Sequence, residues 1–389
     1  MPMYFVGIDI SKYKHDCCII SAADQKVVSK VTIKNNKAGF NELLTIIHSL
    51  AKDIKIGFES TAHYALNLEL FLENAHHSFM EVNPVLIKEY KKSTTLRRTK
   101  TDSVDCESIA RWLMTVEYKP HSKGFYHAYS LKSLTRLRDR LIRQRSFYLV
   151  KITNVLDHTF PEFKPFFNER LSKTALYLLE NYGSAEKMAR MNSASYDKLR
   201  CISRGKFSIQ QFLRLKELAA NTVGVNNSIF DLELNTLLTL YKSLSDEINT
   251  LETEIIKLIE EVHPHYMSIP GIGPISAAVI YAEYGDISNF SNPGQMLAFA
   301  GIEPGINDSG TESHGGRMVK HGSSQLRYVL LNACLPLIRF DLTFATYYEK
   351  KRAEGKKHRV AITHVAKKLI RVIYALERQD VDFNAQKLR

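Results

Sequence analysis

The 389-residue sequence predicts an α/β domain followed by a mostly α-helical remainder. Two patterns indicate this division. Over about the first hundred residues, short β-rich runs alternate with segments of helical spacing, which is typical of an α/β domain. Beyond them, apolar residues recur every three to four positions over long stretches, which is typical of helices. A chain of this length is expected to form two or three domains.

The predicted α/β domain opens with strands and then alternates helices and strands. Strand-like runs at 4–10, 17–20 and 27–33 are followed by a helix at 36–50, a strand at 54–58, a helix at 65–72, a strand at 79–82 and a helix that begins near Asp102. Three consecutive opening strands favour an antiparallel meander. A meander followed by helix, strand, helix, strand and helix predicts a mixed sheet of the ribonuclease H type.

Two long helices are predicted in the centre of the chain. The first covers 130–156 and carries a row of arginines outside its apolar positions: Arg136, Arg138, Arg140, Arg143 and Arg145. In the second, apolar residues alternate steps of four and three from Phe230 to Val262, which predicts a coiled coil. An ordinary amphipathic helix in a bundle is the alternative. Since the first helix is basic and the second is acidic, pairing within or between chains would match opposite charges.

The last third of the chain predicts helices interrupted by two glycine-containing segments. The sequence IPGIGP at 269–274 forms a turn that opens a helix, and backbone N–H groups at such a helix start can hold a phosphate. This resembles the helix-hairpin-helix elements that grip DNA backbones, although a plain helix cap explains the pattern equally well. Farther along, 307–324 predicts a polar loop.

Charge is strongly segregated along the sequence. The chain carries +12 in total; two segments, 88–151 and 317–371, each have a balance of +10, whereas 227–262 has a balance of −6. Two such basic blocks favour a polyanionic partner, with nucleic acid the first candidate. Solvated surface lysines and arginines are the alternative for either block alone.

Composition excludes several classes of protein. A hydrophobic content of 44% with 24% charged residues is that of a folded globular chain rather than a disordered or fibrous one. Five cysteines without a CxxC pair argue against a disulfide framework and a zinc knuckle. The longest nearly apolar run, 328–338, is too short to span a bilayer, and Asp9 precedes any stretch that would form a signal-peptide core. We therefore expect a cytoplasmic protein without membrane contact.

Four carboxylates fall at positions where they would meet. Asp9 ends the strand FVGIDIS and Glu59 ends the strand IKIGFES, and the ends of adjacent strands can face one cleft. Asp102 and Asp105 are three residues apart at a helix start and therefore share a face near the positive end of its dipole. Such oxygen ligands suit two hard divalent cations, which activate an attacking oxygen and stabilise a leaving oxygen at phosphorus. Structural roles such as helix capping by Asp102 stay open, and FVGIDIS alone also resembles the phosphate loop of an actin-like sugar kinase.

Ser309 is the second chemical candidate, in the segment AGIEPGINDSGTESHGGRMVKHGSSQLRYVLLNA (300–333). A serine attacks phosphorus only when a base or a metal-bound neighbour activates it, and an adjacent glycine allows a substrate to approach closely. The segment lacks the GxSxG elbow of a serine hydrolase. Taken alone, Ser309 is more simply explained as a loop hydroxyl.

Taken together, these features resemble one family over nearly the whole chain: an Asp, Glu and Asp-x-x-Asp set, a predicted coiled coil, and the motifs GIEP, SG, KHG and LR. The sequence is similar to the bridge-RNA-guided insertion-sequence recombinases, which are transposases with a RuvC-like domain and a catalytic serine. The resemblance implies a RuvC-like domain at 1–125, a helical and coiled-coil region for dimerisation at 126–262, and a mostly helical transposase domain with the serine at 263–389.

The resemblance also implies roles for individual residues. Asp9, Glu59, Asp102 and Asp105 would bind Mg²⁺, and Ser309 would attack a DNA phosphodiester to form a covalent phosphoserine. Donor DNA, target DNA and a structured bridge RNA are the implied partners of a homodimer or homotetramer whose catalytic groups come from different subunits. Such a protein would act in the cytoplasm of a prokaryote, at the nucleoid.

Basic residues beside both candidate sites are expected to contact phosphates rather than bases. They are Arg97, Arg98 and Lys100 before the Asp-x-x-Asp pair, and Arg317, Lys320 and Arg327 after the serine. Two other functions stay open. A metal-dependent, structure-selective nuclease similar to a Holliday-junction resolvase needs only the carboxylates, and a non-enzymatic nucleic-acid scaffold needs only the basic blocks and the coiled coil.

Overall fold

The computed structural model describes residues 3–50, 53–59, 64–94, 102–120, 125–168, 171–309, 312–318, 320 and 322–387. The chain divides into two compact units, Met1–Tyr126 and His127–Arg389. Each unit has hydrophobic clusters of its own. The predicted boundaries of three domains, after residues 125 and 262, stay predictions.

The first unit is a five-stranded mixed sheet with helices on both faces. Its elements are β1 (Met3–Ile10), β2 (Lys14–Ser21), β3 (Val27–Lys34), α1 (Lys37–Ser49), β4 (Asp53–Glu59), α2 (Leu66–Asn74), β5 (Phe79–Val82), α3 (Pro84–Thr94) and α4 (Asp102–Leu113). The strand order is β3-β2-β1-β4-β5, with β1, β2 and β3 antiparallel and β1, β4 and β5 parallel. The predicted mixed α/β sheet with its opening meander is confirmed, and α3 is an additional helix.

Alternate residues of β1 and β4 face opposite sides of this sheet. Val6, Ile8, Ile56 and Phe58 belong to the apolar cluster that includes α1 and α2, and all four are fully buried. Burying one such side chain contributes about 1.5–3 kcal/mol relative to leaving it exposed. The alternation also fixes the register, because a slip of one residue would turn this apolar set toward the other face.

Two glycines on the other face allow α4 to lie directly on the sheet. Gly7 and Gly57 are register partners on the parallel neighbours β1 and β4. A Cβ on Gly7 would lie 2.3 Å from the backbone oxygen of Cys106 in α4, and a Cβ on Gly57 would lie 2.7 Å from Cδ1 of Leu113. A larger residue at position 7 would therefore push α4 away from β1.

The second unit is mostly α-helical and contains one two-stranded sheet. Its elements are α5 (Phe125–Thr159), α6 (Phe163–Phe166), α7 (Lys173–Tyr182), α8 (Ala185–Ala189), α9 (Ser193–Ile202), α10 (Ile209–Ala220), α11 (Ser228–Val262), α12 (Pro274–Tyr284), α13 (Pro293–Ala300), β6 (Pro304–Ser309), β7 (Glu312–Met318), α14 (Ser324–Phe340), α15 (Leu342–Ala353) and α16 (His358–Gln379). One apolar cluster is built mainly from α12, α14 and α16, and a second from α7, α10 and facing ends of α5 and α11.

The polar loop predicted at 307–324 is wrong over its first half. Strands β6 and β7 form an antiparallel hairpin there, in which Asn307 pairs with His314. Backbone groups make these pairs, so polar and glycine residues can form the hairpin without the apolar alternation by which a strand is recognised in a sequence.

Both predicted long helices are present, as α5 and α11, each of 35 residues. The apolar residues of the predicted stripe on α11 are buried or half-buried, with Leu234, Ile248 and Ile255 almost completely buried. Arg138 of α5 and Glu252 of α11 form an ion pair with 2.7 Å between Nε and Oε1. The basic and the acidic helix therefore match charges within the chain, while the coiled coil and an oligomer built on it stay predictions.

Among the residues that the structure describes, no single helix has the length and apolar composition needed to cross a membrane. Helices α14 and α15 meet that test only when taken together, and they are bent by 106° relative to each other.

Candidate active site

Asp9 and Glu59 lie at the carboxyl ends of two neighbouring parallel strands. The register pairs Gly7 with Gly57, and the two acidic residues stand two positions farther along β1 and β4. Because side chains alternate along a strand, they face the same side as the glycines, which is the side that α4 covers. Both carboxylates are half-buried. The structure thus brings two of the predicted site residues to one edge of the sheet.

Helix α4 carries the other two predicted carboxylates. It begins at Asp102, whose side chain lies outside the part that the structure describes. Asp105 follows one turn later; it is half-buried, and its Oδ1 accepts a hydrogen bond at 2.7 Å from Nζ of Lys91 on α3. Among the described side chains, no three His, Cys, Asp or Glu residues stand close enough to hold a metal ion. The structure therefore describes the side chains of three of the four predicted carboxylates, Asp9, Glu59 and Asp105, and not that of Asp102.

Asp16 is an acidic residue of this edge that sequence reasoning missed. It lies directly opposite Asp9 in the antiparallel pair of β1 and β2, where Cβ atoms are about 4.5–5.5 Å apart. Its carboxylate pairs with Lys14 at 3.1 Å and accepts a hydrogen bond from the hydroxyl of Thr32. Like charges in directly opposite positions destabilise a sheet, which favours a cation nearby. Strand β2 begins at Lys14 and not, as predicted, at Cys17. The alternation of side chains along the full strand is the signal that would have placed Asp16 beside Asp9.

Contacts on both sides of α4 hold it over the sheet. Lys30 on β3 pairs with Glu107 at 2.8 Å, and Arg111 pairs with the same carboxylate one turn later. The hydrogen bond from Lys30 is the main reason that the pKa of Glu107 is lowered. Beneath the helix, hydrogen bonding to Cys18, together with burial, raises the pKa of the Cys106 thiol. Charge pairing at the rim and the uncharged Cys106 thiol inside therefore both favour this position of α4.

Ser309 is the last residue of β6, next to the turn of the hairpin in the second unit. Its backbone pairs with that of Glu312 at the start of β7. Its side chain lies outside the described part of the chain, as do Gly310 and Thr311. The serine thus occupies the end of a short two-stranded ribbon.

Two glycines and an arginine of the predicted motifs join the two ends of this hairpin. Gly301 has a φ of +66°, which favours glycine, and a Cβ on it would lie 2.7 Å from Nη1 of Arg327. A Cβ on Gly322 would lie 2.2 Å from the backbone oxygen of Phe299. Arg327 donates from Nη1 to the backbone oxygen of Ala300 at 3.2 Å. Gly301 of GIEP, Gly322 of KHG and Arg327 of LR therefore pack where the hairpin with Ser309 begins and ends.

The predicted phosphate contacts lie only partly within the described structure. Four of these residues have side chains outside it: Arg97, Arg98, Lys100 and Arg317. Lys320 is exposed, and Arg327 is half-buried with its guanidinium bonded to the hairpin base. All of these roles stay predictions.

The glycine-rich turn at 269–274 leads directly into α12. Gly271 has a φ of +96°, and a Cβ there would lie 2.7 Å from Cγ of Pro336 in α14. Pro274 is the first residue of α12, a position where its missing N–H costs no hydrogen bond. The turn is thus required by packing against α14, while a phosphate site at this helix start and a complete helix-hairpin-helix element stay predictions.

Two protein-family models match this chain. A transposase model of the DEDD type from IS110 matches residues 6–161, the segment with the four predicted carboxylates. A model described as transposase of the IS116/IS110/IS902 family matches residues 264–349, the segment with Ser309. Two segments of the chain thus match transposase domains of the IS110/IS116 family. The predicted resemblance to insertion-sequence transposases is thereby confirmed at the level of these two matched segments.

The chain is similar to known proteins over nearly its whole length. It is 26% identical to the insertion element IS900 uncharacterized 42 kDa protein of Mycobacterium paratuberculosis, with 96% of this chain and 95% of that protein aligned. It is 24% identical to the pilin gene-inverting protein of Moraxella bovis, over 99% and 98% of the two chains. Among solved structures, T. thermophilus RuvC in complex with a Holliday junction substrate matches 31% of this chain and 99% of its own chain, at 11% identity and a TM-score of 0.24. A structural similarity at that level supports no conclusion about activity.

Proposed function

We propose that this protein is an RNA-guided DNA transposase that cuts and rejoins donor and target DNA through a phosphoserine formed on Ser309. The observation that carries the proposal is the position of Asp9 and Glu59 beside α4 inside a family-matched segment. Carboxylates at such an edge suit metal-dependent phosphoryl transfer. Ser309, in the second matched segment, supplies the nucleophile.

The proposed ligand set fits magnesium in its chemistry. Asp9, Glu59, Asp102 and Asp105 offer only carboxylate oxygens, which hard divalent cations prefer. Asp16 adds negative charge on the same face, opposite Asp9. When bound there, Mg²⁺ would polarise the scissile phosphate and lower the pKa of the attacking hydroxyl. Half-burial of the two strand-end carboxylates excludes part of the solvent that would otherwise screen their charge.

The proposed serine chemistry conserves the energy of the phosphodiester bond. Oγ of Ser309 forms a bond to phosphorus while the bond to the 3′ oxygen of the DNA breaks, and the serine proton passes to that oxygen. The 3′-hydroxyl of a different strand then attacks the phosphoserine and returns a proton to the serine. Because one phosphorus–oxygen bond replaces another in each step, the reaction needs no ATP.

Nucleic acids are the proposed partners of this protein. The residues proposed to contact phosphates are Arg97, Arg98, Lys100, Arg317, Lys320 and Arg327. A structured bridge RNA, encoded by the ends of the element, would select donor and target DNA. Helices α5 and α11 would join subunits into a dimer or tetramer, with catalytic groups drawn from different subunits, and this assembly would act at the nucleoid in the cytoplasm.

A metal-dependent, structure-selective nuclease is the second candidate function. The acidic edge of the sheet, formed by Asp9, Asp16 and Glu59, also favours a nuclease. Water can replace the serine as the attacking group at a metal-dependent site. This candidate predicts cleavage of branched DNA in Mg²⁺ that does not depend on Ser309 and leaves no protein–DNA adduct. A non-enzymatic scaffold, in contrast, predicts that Asp9→Asn leaves every activity unchanged.

One experiment separates these functions. Purified protein, Mg²⁺, RNA transcribed from the flanks of the element and labelled donor and target DNA are incubated and then denatured. We expect a labelled adduct that maps to Ser309 and is lost in Ser309→Ala and in Asp102→Asn. Ser313→Ala, a change in the facing strand of the same hairpin, should keep the adduct. Cleaved DNA without an adduct would support the nuclease, and an adduct that persists in Ser309→Ala would refute the serine mechanism.

A further inference from the structure

Lys91 forms an ion pair with one of the proposed metal ligands. Its Nζ lies 2.7 Å from Oδ1 of Asp105, and the two side chains are 27% and 16% exposed. The pair joins the last turn of α3 to the first turn of α4. The neighbouring Lys92 differs, since it pairs with Glu89 on its own helix and these side chains are 61% and 60% exposed.

The negative charge of the acidic edge explains why a cation of the chain itself would reside there. Asp9 and Asp16 are directly opposite in β1 and β2, and Glu59 lies at the end of the strand on the other side of Asp9. Repulsion among these carboxylates disfavours their common position on one face. Two lysines offset part of the negative charge, because Lys14 pairs with Asp16 on β2 and Lys91 pairs with Asp105 on α4.

An ammonium and a metal dication would compete for the same oxygen of Asp105. Mg²⁺ or Mn²⁺ bonded to Oδ1 at about 2.1 Å would lie within about 5 Å of Nζ of Lys91 in its present position. Charges of the same sign repel strongly at this distance where the side chains are largely buried, because solvent and salt screen them poorly. A metal ion bonded to Oδ1 would therefore displace Lys91 from that oxygen.

We propose, on the basis of the metal-dependent function proposed above, that Lys91 is a positioning residue that holds Asp105 before the metal binds and is displaced by the metal. The ion pair keeps the start of α4 in place without a metal ion. Its disruption opposes metal binding, so Lys91 sets the metal affinity of the free protein below what the carboxylates alone would give.

Binding of Mn²⁺ to the full chain without nucleic acid tests this role, with free Mn²⁺ measured by electron paramagnetic resonance. Lys91→Gln should bind Mn²⁺ about fivefold more tightly than the wild type, which is the change expected when a partly exposed ion pair no longer has to be broken. Lys92→Gln makes the same change in net charge one residue away and should stay within about twofold of the wild type. Lys91→Arg keeps the cation and should bind no more tightly than the wild type.

Equal affinity in Lys91→Gln and the wild type, or an equal gain in Lys91→Gln and Lys92→Gln, would overturn the proposal. Asp105→Asn distinguishes this failure from failure of the proposed function. If Asp105→Asn weakens Mn²⁺ binding while Lys91→Gln has no effect, the acidic metal site stands and only the competition by Lys91 is wrong. If Asp105→Asn has no effect on Mn²⁺ binding, Asp105 is not a metal ligand and the competition by Lys91 is wrong as well. Circular dichroism melting shows whether each compared variant is folded.

Discussion

Replacing Gly7 with alanine should move α4 away from the acidic edge. The added Cβ would lie 2.3 Å from the backbone oxygen of Cys106 and 2.4 Å from the backbone nitrogen of Ala110. Carbon–oxygen contacts are normally no shorter than about 3.3 Å, so the helix must move outward by about 1 Å. Such a shift carries Asp105 away from Asp9, which stays on the strand.

This displacement should strongly reduce the rate of adduct formation and only moderately reduce the free energy of unfolding. A misplacement of about 1 Å at a catalytic site costs roughly 100-fold in rate, and overpacking of this kind lowers the free energy of unfolding by about 1–3 kcal/mol. The rate of adduct formation with labelled DNA measures the first quantity, and urea unfolding measures the second.

Ile8→Val provides the matched control, because Ile8 neighbours Gly7 but faces the opposite side of the sheet. Its loss of one buried methyl group should cost about 1 kcal/mol without moving α4, so adduct formation should stay near the wild-type rate. If Gly7→Ala and Ile8→Val form the adduct equally fast at equal fractions of folded protein, the position of α4 does not govern the site and the reasoning is wrong.

Three further changes test other contacts. Burial raises the pKa of Glu69 to about 9 from its ordinary 4.5, so the folded chain keeps a proton that the unfolded chain loses; stability should fall as the pH rises through that window, and Glu69→Gln should flatten this dependence in melting curves. Arg327→Ala removes the hydrogen bond to Ala300 at the hairpin base and should abolish the adduct while lowering the melting temperature by only a few degrees; an unchanged adduct yield would contradict that role. Glu283→Gln disrupts a bidentate pair with a half-exposed arginine in which the carboxylate itself is buried, and should cost about 2 kcal/mol in urea unfolding. The side chain of Glu252 is more exposed than that of Glu283, so Glu252→Gln should lower the free energy of unfolding by less than about 1 kcal/mol. Equal losses in the two variants would refute the argument from burial.

The sheet could be predicted because its strands stand out as short runs of apolar residues. Apolar alternation in β1 and β4 is strong, and the run at Phe79–Val82 has the bounds that the structure shows. Strand β2 begins three residues before the predicted start, because Lys14 and Asp16 are polar and the buried residue between them, His15, is not an apolar residue. That error of three residues concealed the carboxylate opposite Asp9.

The candidate site was predictable where residues lie at the ends of regular elements and not where contacts join separate helices. Asp9 and Glu59 follow apolar strands, so their common edge could be foreseen. Lys91 gave no signal, because its partner is 14 residues away on a different helix and no local spacing relates the two. Ser309 could be identified as a candidate nucleophile only through its motifs. The polar residues around it show no periodicity that would predict a hairpin.

The two long helices also set the distance between two apolar cores. At about 1.5 Å per residue, α5 and α11 are each about 52 Å long. Leu131 and Ile259 belong to one apolar cluster, and Ile152 and Leu234 belong to the other, so the antiparallel pair connects two separate cores at its opposite ends. Removing seven residues from each helix would bring those cores about 10 Å closer while the same faces stayed in contact. The distance between the cores is therefore a property that can be varied without repacking either of them.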